Sequence, residues 1–294
     1  MKLALKIDVD TYRGTREGVP RLVRLLRLHE AGGTFLFSLG PDHTGRAIRR
    51  AFRPGFFSKV KRTSVLEHYG LRTLLYGTLL AGPDIGRRCC DEMRAVKAAG
   101  FEVGVHCWDH VRWQDNVARK DADWTEREMQ KALDRFREIF GADSLVHGAA
   151  GWQLNRHAAW FEERHFAYAS DTRGREPFRP LWDGVAIGCP QIPTTLPTLD
   201  ELVGTEGIDE TSVAGRILEM TKQPRDHVFT AHAELEGGDW QSIFDALLAG
   251  WRDQGYELVS LKSLHESLDV ARLPRHEVVL GEIPGRSGTL AVQG

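Results

Sequence analysis

Apolar and polar positions fall in a repeating order along this chain, a short dense apolar run followed by a longer stretch with apolar residues at helical spacing. Leu3-Ala4-Leu5-Lys6-Ile7-Asp8-Val9 is the first run. Pro20 to Ala31 follows, with Leu22, Val23, Leu25, Leu26 and Leu28 spaced for a helix that Gly32-Gly33 stops. Thr34 to Leu39 reads as a second strand, Ile85 to Ala99 as a helix ended by Gly100, and Phe101 to Val105 as a third strand. Thr125 and Glu128 form a capping box that predicts a helix from there to Phe140. The rhythm continues with a strand near Leu145-Val146, a helix from Arg156 to His165 and a strand at Tyr168-Ala169-Ser170. Residues 211–223 read as a helix, His227 to Ala231 as a strand, Asp239 to Asp253 as a helix and Tyr256 to Ser260 as a last core strand. Six or seven such units predict an α/β fold, a parallel sheet covered by helices, either doubly wound or closed into a barrel.

Composition narrows the class. With 41% hydrophobic and 27% charged residues the 294-residue chain is globular, and a net charge of -2 argues against a surface built for nucleic acid. Cys89, Cys90, Cys107 and Cys189 contain no CxxC pair and are too few for a disulfide framework, which favours a reducing compartment. Lys6 and Asp8 interrupt the apolar start where a signal peptide needs an unbroken core, and no stretch reaches the ~20 apolar residues of a membrane span. The expectation is a cytoplasmic protein.

One segment breaks the rhythm. About 45 residues separate Leu39 from Ile85, where a strand-to-helix connection takes ~2–6. Residues 42–88 carry ten basic side chains (Arg46, Arg49, Arg50, Arg53, Lys59, Lys61, Arg62, Arg72, Arg87, Arg88) against the acids Asp42, Glu67 and Asp84. Phe52, Phe56, Phe57, Tyr69, Leu74, Leu75, Leu79 and Leu80 interleave with them. A basic, partly apolar insertion suits an anionic membrane surface, although an oligomer interface or a solvated hairpin has the same composition.

Active sites of parallel-strand folds gather at the carboxyl ends of the strands. Here those ends deliver Asp8 and Asp10, His106 and His110, Asp171, and His232. Each alone has an ordinary reading, as a turn, a cap or a buried histidine. Together they compose a mononuclear metal site, since two imidazoles and one carboxylate are a known ligand set with positions left for water. One of Asp8 and Asp10 completes that set. Residues two apart on a strand share a face, so the other carboxylate hangs nearby as a base, and His232 arrives from another strand as a proton donor. Cys107 reads as a small buried hydrophobe rather than a ligand. Trp108, Trp113 and Trp152 flank the motifs as sugar-stacking or core residues.

Asp8-Val9-Asp10, His106…His110, Asp171 and Thr230-Ala231-His232, in this order, resemble the polysaccharide deacetylase (carbohydrate esterase 4-like) family. The resemblance implies a distorted seven-stranded (β/α) barrel over residues 1–268, interrupted by the 40–84 insertion, with 269–294 as a C-terminal tail. It implies metal-dependent removal of an acyl group from a sugar. Asp8 would be the general base, Asp10, His106 and His110 the metal ligands, His232 the general acid, and Asp171 the residue that orients His232. One divalent ion is implied, with Zn²⁺ first and Co²⁺, Mn²⁺ or Ni²⁺ as alternatives. The family usually places an arginine beside the base; at the corresponding segment this chain reads His147-Gly148-Ala149-Ala150-Gly151-Trp152.

Within the family, LALKIDVDTYRGTREGVPRL, GVHCWDHVRWQD, HGAAGWQLN and FTAHAELEGG are most similar to a cytoplasmic branch. That branch removes formyl from 4-deoxy-4-formamido-L-arabinose carried on undecaprenyl phosphate, in lipid A modification and polymyxin resistance. The resemblance implies that lipid-linked sugar as substrate and a peripheral place on the inner membrane. The alternatives are an N-deacetylase of another sugar and a non-enzymatic membrane-surface protein with a structural metal.

Overall fold

The strand that opens the chain is buried along nearly its whole length. The computed structural model describes residues 1–47, 71–205 and 207–294. Its strands along the chain are β1 (Lys2–Val9), β2 (Thr34–Ser38), β3 (Glu102–Cys107), β4 (Val146–His147), β5 (Tyr168–Ala169), β6 (Arg179–Trp182), β7 (Val185–Ala186), β8 (His227–His232), β9 (Glu257–Val259), β10 (Arg275–Glu282) and β11 (Thr289–Gln293). Every residue of β1 after Lys2 is buried, as a strand covered on both faces requires.

Seven strands form one parallel sheet in the order β5-β4-β3-β2-β1-β8, with β9 also on β1. β9 pairs with Lys2 to Ala4 and β2 with Lys6 to Val9, so the two share one edge of β1 in succession while β8 takes the other. The sheet curls into a half-barrel and stays open, because β5 and β8 do not pair with each other. Extended chain at 190–196 runs through the gap: Ile192 N donates to the Ala169 carbonyl (2.8 Å), and Thr195 N and Leu196 N donate to that of Val228 (3.1 and 3.2 Å). The expected distorted barrel is present in this open form.

Helices cover the outer face. Leu22, Leu25 and Leu26 of Val19–Leu28 pack into the same core as Phe35, Phe37, Met93, Met129, Leu133 and Phe136. The helix Ala122–Phe140 starts one turn earlier than the capping box predicts. Asp121 is its N-cap, accepting from Trp124 N at 2.9 Å, and Thr125 lies inside with its hydroxyl on the Asp121 carbonyl. A carboxylate at the N-cap is the stronger signal because it accepts an otherwise orphaned amide and complements the helix dipole.

The segment expected as a tail is part of the fold. β10 pairs with β6 and β11 with β10 in a second sheet, Leu290 and Ala291 are buried, and Arg173 exchanges backbone hydrogen bonds with Ala291 and Gln293. Exposed positions on β10 dilute its apolar pattern, which is why it resembles a tail in sequence.

The described ends of the insertion are tied to the strand ends. Leu39 N and Gly40 N donate to the Cys107 and Trp108 carbonyls, and Asp42 accepts from Tyr12 N at 2.9 Å. Leu79 is 82% exposed. Arg49, Arg50, Arg53, Lys59, Lys61, Arg62, Phe52, Phe56, Phe57 and Tyr69 lie outside the described residues. Among the described residues no helix is long and apolar enough to cross a membrane.

Candidate metal centre and active site

Parallel register sets the site. β1 and β8 align Asp8 with His232, so base and acid candidates sit on neighbouring strands at one level. β3 ends in His106 and Cys107, and the next helix, His110–Asn116, begins at His110. Asp109 is its N-cap: one oxygen accepts from Arg112 N (3.0 Å), and the other lies 2.6 Å from His43 Nδ1. The HxxxH pair thus spans a strand end and a helix start, which turns both imidazoles inward.

Asp10, His106 and His110 offer ligand atoms that all lie within 4.8 Å of one another. His106 Nε2 is 3.2 Å from Asp10 Oδ1, and His110 Nε2 is 3.3 Å from Asp10 Oδ2. His106 Nε2 and Asp10 Oδ1 are buried with no hydrogen-bond partner among the described residues, although an unpaired buried polar atom is costly. On its other side His106 Nδ1 donates to the Gly148 carbonyl at 2.5 Å, which leaves the Nε2 lone pair for a cation. Burial opposes ionisation of Asp10, but His110 and His106 more than offset it and hold its carboxyl well below the usual range. This donor set fits a divalent metal with water at its open positions. Cys107 is turned away, its Sγ 3.3 Å from Ser38 Oγ, and burial pushes the thiol up.

Asp8 lies outside that trio. Its Oδ2 is 3.3 Å from Lys6 Nζ, and its Oδ1 is 3.9 Å from His106 Nδ1 with no hydrogen-bond partner among the described residues. His232 Nδ1 is likewise buried and unpartnered, and its ring stands edge-on to Trp152 at 6.4 Å. Burial alone would depress His232, yet Asp200, Asp10, Glu236 and Asp8 outweigh it and raise its pKa.

Asp171 is not placed to orient His232. Its Oδ1 accepts from Ala149 N (2.6 Å) and is 3.0 Å from His147 Nδ1, while Oδ2 accepts from Gln191 Nε2 (2.8 Å). Both oxygens are committed to the β4 and 190–196 segments. The acid whose charge most favours protonated His232 is Asp200, which no sequence motif flagged.

Other contributors also escaped the motifs. Glu234 accepts from Asp10 N (3.1 Å), Thr11 N and Thr11 Oγ1 (both 2.8 Å) and so fixes the chain that carries Asp10. Burial, with Asp10 adding to it, pushes Glu234 up to about 8. A π-turn at Gly14–Gly18 brings the next segment against this loop, and only glycine fits. A Cβ on Gly18 would lie 1.9 Å from the Ala233 carbonyl oxygen. Glu236 accepts from His232 N at 2.7 Å. Arg286, from the C-terminal hairpin, pairs with Glu201 and lies 4.3 Å above the Trp152 ring. Trp113 and Trp152 are buried, and partly buried Trp108 is covered by Arg135.

No family model matches the chain. Curated relatives do. The chain is 37% identical over 295 residues, covering 99% of it and 94% of the relative, to a Shewanella sediminis protein named "Probable 4-deoxy-4-formamido-L-arabinose-phosphoundecaprenol deformylase ArnD". A protein of the same name from Wigglesworthia glossinidia brevipalpis is 30% identical over 282 residues, with 95% and 98% coverage. The chain belongs to the ArnD deformylase family. As a member it is a hydrolase that acts on an amide bond. The fold agrees: a crystal structure described as a "putative polysaccharide deacetylase" from Mycobacterium smegmatis superposes with a TM-score of 0.64 at 16% identity, covering 96% of this chain and 94% of that one.

Proposed function

We propose that the protein hydrolyses the N-formyl group of 4-deoxy-4-formamido-L-arabinose-phosphoundecaprenol, giving the 4-amino sugar on its lipid carrier and formate, at the cytoplasmic face of the inner membrane. The substrate comes from the names of the two relatives, and the chemistry from the site. The observation that carries the reading is the trio Asp10, His106 and His110, in which Asp10 Oδ1 and His106 Nε2 are buried with no hydrogen-bond partner among the described residues, flanked by a carboxylate and an imidazole that lie outside it. A structural metal site is closed by four protein ligands, whereas three ligands beside an acid and a base suit catalysis.

A divalent ion held by Asp10, His106 and His110, Zn²⁺ first among the candidates, would polarise the formyl oxygen and lower the pKa of a bound water. Asp8 Oδ1, which has no hydrogen-bond partner among the described residues, takes the proton of the attacking water. His232, whose acidic neighbours favour its protonated form, gives a proton to the departing amine nitrogen. Trp152, between His232, Arg173 and Arg286, walls the site on the acid side. The product belongs to lipid A modification and polymyxin resistance, and the basic insertion with its exposed Leu79 and Leu80 would hold the enzyme where that substrate resides. A mass spectrum of the lipid-linked formamido sugar before and after incubation tests this. The expected result is loss of one formyl group with stoichiometric formate; an unchanged formamido sugar alongside deacetylation of an acetamido sugar overturns it.

A further inference from the structure

A lysine without exposed surface sits in the strand that carries the site carboxylates. Lys6 precedes Asp8 by two residues on β1, so the two share a face, and Lys6 is 0% exposed. A buried ammonium is strongly disfavoured unless paired and hydrogen-bonded, so its partners report what it is for. Nζ lies 3.3 Å from Asp8 Oδ2, donates to the Ser170 carbonyl at 3.0 Å, and stands 5.1 Å from the Trp152 ring centroid. Three contacts from β1, β5's end and the loop after β4 fix its position.

Asp171 also feels the Lys6 charge but does not depend on it alone. It is already bound by Ala149 N, His147 and Gln191. Asp8 has no such alternative: one oxygen faces Lys6, and the other has no hydrogen-bond partner among the described residues. A carboxylate gripped at one oxygen and free at the other is set up to accept a proton at the free one.

We infer that Lys6 is the positioning residue for Asp8, holding Oδ2 so that Oδ1 is presented to the attacking water. In this role Lys6 acts through Asp8, and its other contacts, to the Ser170 carbonyl and the Trp152 ring, hold it in place. The inference rests on the reading of Asp8 as general base.

The test is a double-mutant cycle on the full-length, metal-loaded enzyme: wild type, Lys6→Met, Asp8→Asn and the double variant. Turnover is measured alongside metal content by elemental analysis and thermal unfolding. Lys6→Met is expected to lower kcat by ~10–100-fold with KM within about twofold and metal content unchanged, a share of the ~10²–10⁴-fold worth of a placed acid–base group. In the Asp8→Asn background the same substitution should change kcat by less than about twofold. If Lys6→Met does not fold, Lys6→Gln runs the same cycle. Equal losses in both backgrounds, a kcat unaltered by removing the charge, or parallel loss of metal would each overturn the role. Full activity in Asp8→Asn alone would instead overturn the reading of Asp8 as base.

Discussion

The Nδ1 of His106 donates to the carbonyl oxygen of Gly148, a strand away, at 2.5 Å. That bond selects the tautomer whose Nε2 lone pair faces Asp10 and His110. Gly148 is held where it is by close packing, since a Cβ there would lie 2.3 Å from Leu36 Cδ1 and 3.2 Å from Lys6 Cε. Gly148→Ala should therefore displace the carbonyl and weaken metal affinity by ~10–100-fold, the usual worth of a hydrogen bond that orients a ligand. Competition with a metal-binding dye measures it, and unchanged affinity would mean the bond does not orient the ligand.

The two carboxylates of β1's end should separate by phenotype. Asp10→Asn and His110→Ala remove ligand atoms and are expected to lose metal together with turnover. Asp8→Asn should keep its metal and lose turnover by ~10²–10⁴-fold. Elemental analysis of the three variants decides the matter, and a metal-free Asp8→Asn with a loaded Asp10→Asn would exchange the roles.

Much of this site is legible in sequence because register does the work. Parallel pairing carries each strand's last residues to one rim, so Asp8, Asp10, His106, His110 and His232 meet without any of them being sequence neighbours of all the rest. What stays hidden comes from irregular chain. Asp200 and Arg286 reach the site from a loop helix and a hairpin that no strand-end rule covers. Asp171 obeys the rule yet turns to His147, because Ala149 N and Gln191 compete for its oxygens. Lys6 was readable: a charge amid Leu3, Leu5, Ile7 and Val9, two residues before Asp8, lies on the face that Asp8 uses.

The cluster of His147, Glu162 and Asp171 makes a statement about stability and pH. Burial would depress His147, but Asp171 and Glu162 reverse that and raise it to about 10. Burial and then Asp171 push Glu162 up to about 8, against the pull of His147. Groups with raised folded-state values bind protons more tightly when folded. Their contribution is complete below the ordinary values of 4.5 and 6.5 and is lost as pH rises through about 8 and about 10. Thermal midpoints of the wild type should fall from pH 6 to pH 10. Glu162→Gln, which keeps an acceptor for His147 Nδ1, should flatten the part of that decline below about pH 8. Parallel curves for the two proteins would sink the assignment.

The insertion gives the last prediction. Its described ends are anchored beside the candidate metal centre, through Asp42 on Tyr12 N and His43 on Asp109, while Leu79 and Leu80 project from the surface. Basic residues near an anionic leaflet contribute ~1 kcal/mol each, so half of the ten in residues 42–88 would hold the protein at a membrane. Exposed leucines add apolar burial at the headgroup boundary, a term that salt does not screen. The two contributions can be separated by sedimentation with anionic vesicles. Charge reversal at Arg49, Arg50 and Arg53 should release the protein and flatten the salt dependence of what binding remains. Serine at Leu79 and Leu80 should weaken binding while leaving its salt dependence in place. Neither set should change turnover on a short-chain, water-soluble analogue, because both leave Asp42 and His43 intact. A protein that ignores anionic vesicles at low salt, or variants that lose activity on the soluble analogue, would show that the insertion serves the site and not a membrane.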